Sequence, residues 1–186
     1  MRRASVPNGV SPQFTASVLL LLPLMLIING ESPIHSVPCP PAQSGQREYE
    51  TPTRFDADRN STEDLAAAIE EAKRSQKNVL IKIGGEWCLW CHVMDSFYSK
   101  NPDLLALRDR NYVLLKVDVS EGHPNSEFLS HFPQIDGVPH IFIVDSKGKL
   151  IRSEDTSELE EGDTYNLERF RKFLEKYAPK KRVSIN

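Results

Sequence analysis

Gly84-Gly85-Glu86-Trp87-Cys88-Leu89-Trp90-Cys91-His92 is the stretch that decides how the rest of the chain is read. Ahead of it, Val79-Leu80-Ile81-Lys82-Ile83 is a short β-branched run that reads as a buried strand. Behind it, Val93, Met94 and Phe97 continue at helical spacing. Two cysteines two residues apart therefore sit where a strand turns into a helix. The first turn of a helix offers unpaired N–H groups and the positive end of the helix dipole. A thiolate is stabilised there, so Cys88 is expected to titrate below an ordinary thiol and to be the better nucleophile. Cys91, one turn on, is close enough to close a disulfide with it.

Three chemistries fit this pattern taken alone. Cys-x-x-Cys beside a strand-to-helix turn suits a redox-active dithiol, and Cys88-Leu89-Trp90-Cys91-His92 also spells a haem-attachment motif. A zinc site needs four ligands, and the one other cysteine, Cys39, lies in a separate Pro-rich segment. No metal is therefore expected. Two inert structural cysteines are disfavoured by the Gly-Gly loop and the flanking tryptophans.

The chain has 186 residues, room for one ordinary domain and an appendage. A formal net charge of −3 gives no basis for a nucleic-acid partner. Three cysteines are too few for a disulfide scaffold. Residues 1–30 begin with Arg2-Arg3 and carry an apolar run over 14–28, shorter than the roughly 20 residues of a membrane span. They read as a signal peptide, with an uncleaved membrane anchor as the alternative, and export from the cytoplasm to the periplasm or a similar space is expected. Residues 31–54 read as a Pro-rich linker in which Cys39 is an incidental thiol, since eight of the 13 prolines fall before residue 53. Residues 179–186 form a basic tail around Lys180-Lys181-Arg182.

Between these ends, residues 55–178 show a regular alternation. A helix is capped by Asn60 or Ser61, with Leu65, Ala68, Ile69 and Ala72 on one face. After the strand at 79–83 and the cysteine helix, Asn101-Pro102 starts a helix to about Arg110. Tyr112 to Val119 reads as a central strand covered on both faces. Pro124 opens a helix with Phe128, Leu129 and Phe132 inward, and His140 to Val144 and Lys149 to Arg152 form a hairpin. The acidic stretch Glu154 to Asp163 reads as a solvated loop. Asn166 caps a last helix with Leu167, Phe170, Leu174 and Tyr177 on its apolar side. A short strand near Arg54-Phe55 would complete the order. The class is α/β, a central mixed sheet of four to five strands flanked by helices on both faces.

This order, with Trp87-Cys88-Leu89-Trp90-Cys91 after the first long strand and Gly137-Val138-Pro139 before the hairpin, resembles the thioredoxin-like family. Cys91-His92, the Asn101-Pro102 helix and the long second strand look most like exported thioredoxin-like disulfide reductase domains. The resemblance implies a thiol–disulfide oxidoreductase in which Cys88 attacks and Cys91 resolves. It implies a cis Val138-Pro139 peptide facing the cysteines and a substrate platform of Trp87, Trp90, Val138 and Pro139. The chemistry requires no metal or organic cofactor beyond the Cys88–Cys91 pair. Substrates would be protein disulfides, with an unnamed electron donor, such as a membrane reductase. Two other readings stand beside this one, a binding module without turnover and covalent haem attachment through Cys88, Cys91 and His92.

One position departs from the family pattern. Many thioredoxins have a buried acid six residues before the first cysteine; here that residue is Lys82. A lysine in so apolar a run must find a partner, reach water or lose its charge. Glu86, the nearest carboxylate in sequence, is the expected partner, so Lys82, Glu86 and His92 are candidates for tuning the thiols. The Leu89-Trp90 pair adds no charge beside Cys88, which favours a reductant or isomerase-like potential.

Overall fold

The computed structural model describes residues 49–180. The apolar run 14–28, Cys39 and residues 181–186 of the basic tail lie outside them. Among the described residues no helix is long and apolar enough to cross a membrane.

The elements follow the periodicity of the sequence. Helix α1 spans Ser61–Ser75, β1 Asn78–Gly84, α2 Leu89–Lys100, α3 Pro102–Asn111 and β2 Tyr112–Asp118. A single turn, α4, covers Ser126–Leu129; β3 is His140–Val144, β4 Leu150–Asp155 and α5 Leu167–Lys176. The sheet order is β2-β1-β3-β4. β1 runs parallel to β2, with Lys82 beside Lys116, and antiparallel to β3, with Lys82 opposite Ile141. All residues of β1, β2 and β3 are buried, as strands covered by helices on both faces require.

Strand alternation separates two cores. Ala68 and Ala72 of α1 pack with Val79, Ile81, Ile83, Val113 and Leu115 on one face. On the other, Leu80, Leu114, Ile141 and Ile143 meet Met94 and Phe97 of α2, Leu104 of α3 and Phe170 of α5. The cysteine helix therefore lies on the face opposite α1.

Asn60, rather than Ser61, caps α1. Its side chain accepts from the Thr62 and Glu63 amides at 3.1 and 3.2 Å. Asp64, in the first turn, pairs with Arg59. Asn60→Ala is expected to cost about 1 kcal/mol of stability, read as a lowered urea midpoint at unchanged slope.

Four expectations are corrected. No strand forms at Arg54-Phe55. The chain crosses there as a strap, with the Tyr49 hydroxyl bonded to the Leu114 carbonyl and the Lys116 ammonium to the Thr53 carbonyl at 2.8 Å. These bonds tie Tyr49 and Thr53 to β2. The helix expected from Pro124 is only α4, since Asn125 adopts a left-handed conformation (φ 47°) at its start. The acidic stretch after β4 is ordered: a 3₁₀ turn over Thr156–Leu159 leads into a hairpin of β5, Glu160–Glu161, and β6, Thr164–Tyr165. It folds because Leu159 and Tyr165 bury their side chains in the core under α5. On α5 itself Leu167 is exposed and Phe173 takes the inward position.

Candidate active site

The site is built at the end of β1. Gly84 has no Cβ because Cys91 Sγ occupies that space, with the Phe55 ring 3.0 Å from where the Cβ would lie. The Cys88 amide donates to the Gly85 carbonyl at 3.0 Å, closing the turn that starts α2. Cys88 is the N-cap of that helix, and its Sγ accepts from the Cys91 amide at 3.1 Å. A sulfur here takes the place that a serine or aspartate oxygen usually fills at a helix start.

Cys88 and Cys91 are joined as a disulfide, with Cα atoms 5.2 Å apart. Cys88 is 4% exposed and Cys91 fully buried. Phe55 clusters with both, and Val138 packs against this group. The Val138-Pro139 peptide is cis, and the Pro139 carbonyl accepts from the Thr156 hydroxyl at 2.5 Å. The corrected 3₁₀ turn therefore braces the proline loop.

The other sequence candidates separate into two groups. Trp87 and Leu89 stand exposed at the surface. Trp90 does not stand free beside Trp87: it is half-buried, edge-on to Tyr165 with ring centres 5.6 Å apart. Glu86 and His92 hold the loop rather than the lysine. Glu86 accepts from the Phe55 amide at 2.7 Å, and an Nε2 contact of 2.7 Å links His92 to the Glu86 carbonyl.

Lys82 is 2% exposed, so an exposed strand face is ruled out. Its ammonium donates to the Cys91 carbonyl at 2.9 Å and to Asp95 at 2.7 Å. Glu86 is thus not its partner; Asp95, one turn beyond Cys91 on α2, is. The second Asp95 oxygen accepts from Lys116 at 3.0 Å. Both ammonium groups lie 5.3 Å from the centre of the Phe55 ring, a favourable cation–π distance. Burial drives the Lys82 pKa down to about 8, against the upward pull of Asp95. Burial pushes the Asp95 carboxyl up, but Lys82 and Lys116 together hold it below its ordinary value.

Asp95, Lys116 and Phe55 were not singled out in the sequence. A signal existed for two of them. Val79-Leu80-Ile81-Lys82-Ile83 and Val113-Leu114-Leu115-Lys116-Val117 carry a lysine at the same place in two adjacent strands. Like charges side by side on one sheet face demand an anion nearby, and Asp95 is at helical spacing from Cys91. Phe55 left no such signal.

Residues 60–146 match the model of the thioredoxin-like family. A thiol:disulfide interchange protein, DsbD, of Vibrio vulnificus (strain YJ016) is 27% identical over 110 residues, 59% of this chain and 18% of its own length. An uncharacterized protein of Caenorhabditis elegans is 30% identical over 81 residues, 44% of this chain and 10% of its own. The chain thus spans less than a fifth of the length of these curated relatives. Among solved structures, a disulphide isomerase from Xylella fastidiosa Temecula1 superposes with a TM-score of 0.57 at 25% identity, covering 65% of this chain and 93% of that one.

Proposed function

We propose, on the match of residues 60–146 to the thioredoxin-like family, that the protein exchanges disulfides with protein clients outside the cytoplasm. The observation that carries this reading is the Cys88–Cys91 disulfide at the start of α2, packed against the cis Val138-Pro139 loop. In the reduced protein the Cys88 thiolate attacks a client disulfide. A mixed disulfide forms and one client thiolate leaves. Cys91 then attacks Cys88 Sγ, closing the internal disulfide and releasing the second client sulfur, so two electrons pass to the client. The Cys91 amide and the positive end of α2 favour the Cys88 thiolate.

Exposed Trp87 and Leu89 give an apolar client chain a surface beside Cys88, and the Val138 backbone gives it hydrogen-bonding groups. Leu89 and Trp90 add no charge there, which supports a reductant or isomerase-like direction over strong oxidation. Reduction outside the cytoplasm needs a donor, for which a membrane reductase is the proposed class, and the run 14–28 supports export. No metal or organic cofactor takes part in this scheme.

The test is reduction of insulin by dithiothreitol with wild type, Cys88→Ser and Cys91→Ser. Wild type is expected to accelerate it and Cys88→Ser to lose the acceleration. Cys91→Ser is expected to accumulate mixed disulfides through Cys88, identifiable by mass spectrometry. Equal, negligible activity in all three would replace this reading with that of a binding module.

A further inference from the structure

Two lysines and one carboxylate share a single buried contact behind the resolving cysteine. Lys82 from β1 and Lys116 from β2 are each nearly inaccessible, and each bonds one oxygen of Asp95 from α2. Among the described residues no other carboxylate lies within ion-pair distance of either ammonium. With both lysines charged, this contact carries one positive charge more than it balances. A buried excess charge is costly unless an opposite charge nearby offsets it.

The fold gives that opposite charge one place to arise. The Lys82 ammonium is bonded to the Cys91 carbonyl, and Phe55, which clusters with Cys88 and Cys91, has both ammonium groups 5.3 Å from its ring centre. Other ionisable groups around Cys91 are engaged elsewhere. Asp118, at the end of β2, accepts from the Ser120 amide, and Glu86 accepts from Phe55. His92 is exposed and turned to the Glu86 carbonyl. Arg108 of α3 adds a further positive field at Lys82. Cys91 is fully buried, and burial alone would hold its thiol protonated and slow to attack.

We propose that Lys82, Lys116 and Asp95 form a buried, net-positive counter-charge for the Cys91 thiolate, which makes them positioning residues for resolution of the mixed disulfide. This rests on the exchange reading above. In that step the Cys91 thiol gives its proton to water, and its thiolate charge is offset by the cluster. The sulfur then attacks Cys88 Sγ; the Cys88–client S–S bond breaks as the Cys88–Cys91 bond forms. The client sulfur leaves as a thiolate and takes a proton from water.

The two signs of charge in the cluster make the proposal testable. In the full chain carrying Cys39→Ser and Cys88→Ser, Cys91 is the single remaining thiol, and its pKa is read from pH-dependent alkylation or thiolate absorbance. Lys82→Met and Lys116→Met are each expected to raise it, and Asp95→Asn to lower it, by roughly one unit each. Asp95→Asn keeps an acceptor for the lysines and tests the idea even where a lysine variant fails to fold. Midpoints that stay in place, or that all shift the same way as in a loosened pocket, overturn the proposal. The titration uses no client and no turnover. An active wild type without these opposed shifts therefore sinks this proposal alone, and an inactive wild type that shows them sinks the exchange reading alone.

Discussion

Between about pH 8 and pH 10 the disulfide form of the protein is expected to become more stable, by about 3 kcal/mol at most, and Lys82→Met is expected to abolish most of that rise. The sign follows from where the proton sits. The folded protein releases the Lys82 proton near pH 8, because burial makes the ammonium costly, while the unfolded chain holds it until near 10.5. Through that window the unfolded state binds more protons, so stability climbs with pH. Below pH 8 both states hold the proton and the folded state bears the full cost of the buried charge. The ceiling is set by the tyrosines. Burial pushes the Tyr49, Tyr98, Tyr112 and Tyr165 hydroxyls above their ordinary value of 10.0, so alkali favours the unfolded chain beyond that point. Urea unfolding at half-unit pH steps on the oxidised protein measures the effect. A flat profile in the wild type, or an equal rise in Lys82→Met, would show that Lys82 keeps its charge throughout.

Phe170→Ala is expected to destabilise the protein by about 3–5 kcal/mol, the usual cost of emptying an aromatic site in a core. Phe170 is fully buried on α5 and sits among Tyr98, Tyr165 and Phe97, with ring centres 5.3, 5.4 and 5.8 Å away. Its neighbours link it to the cysteines: Phe97 is on α2 itself, and Tyr165 braces Trp90. The cavity would lie beneath the helix that holds Cys88 and Cys91, with elements on several sides to stop its collapse. Phe170→Leu, which keeps most of the volume, is expected to cost less than about 1.5 kcal/mol. Unfolding free energies of the two variants test this. A loss below about 1 kcal/mol for Phe170→Ala would show that the neighbouring rings close the space.

The amino-acid sequence alone determined the long elements and the place of the cysteines. Local periodicity says which side of each segment is apolar, and that is enough to draw β1, β2, β3 and the long helices and to place Cys88 at a helix start. Gly84 and Gly85 marked the turn, although only the structure shows that Gly84 is small to admit Cys91 Sγ. The stretch after Glu154 was misread because a run of charges hides Leu159 and Tyr165, whose burial depends on α5 packing above them. Lys82 shows the same limit most sharply. Its need for an anion was legible in Val79 to Ile83, but the anion was not: Glu86 is nearer along the chain, while Asp95 is the one that α2 lays over β1 and β2. Phe55 had no pattern to announce it, and its place depends on the strap being tied to Leu114, Lys116 and Glu86. Side-chain spacing along one segment encodes which face is buried; which charges meet across that face is decided by crossovers and register, and these exist only once the segments have packed.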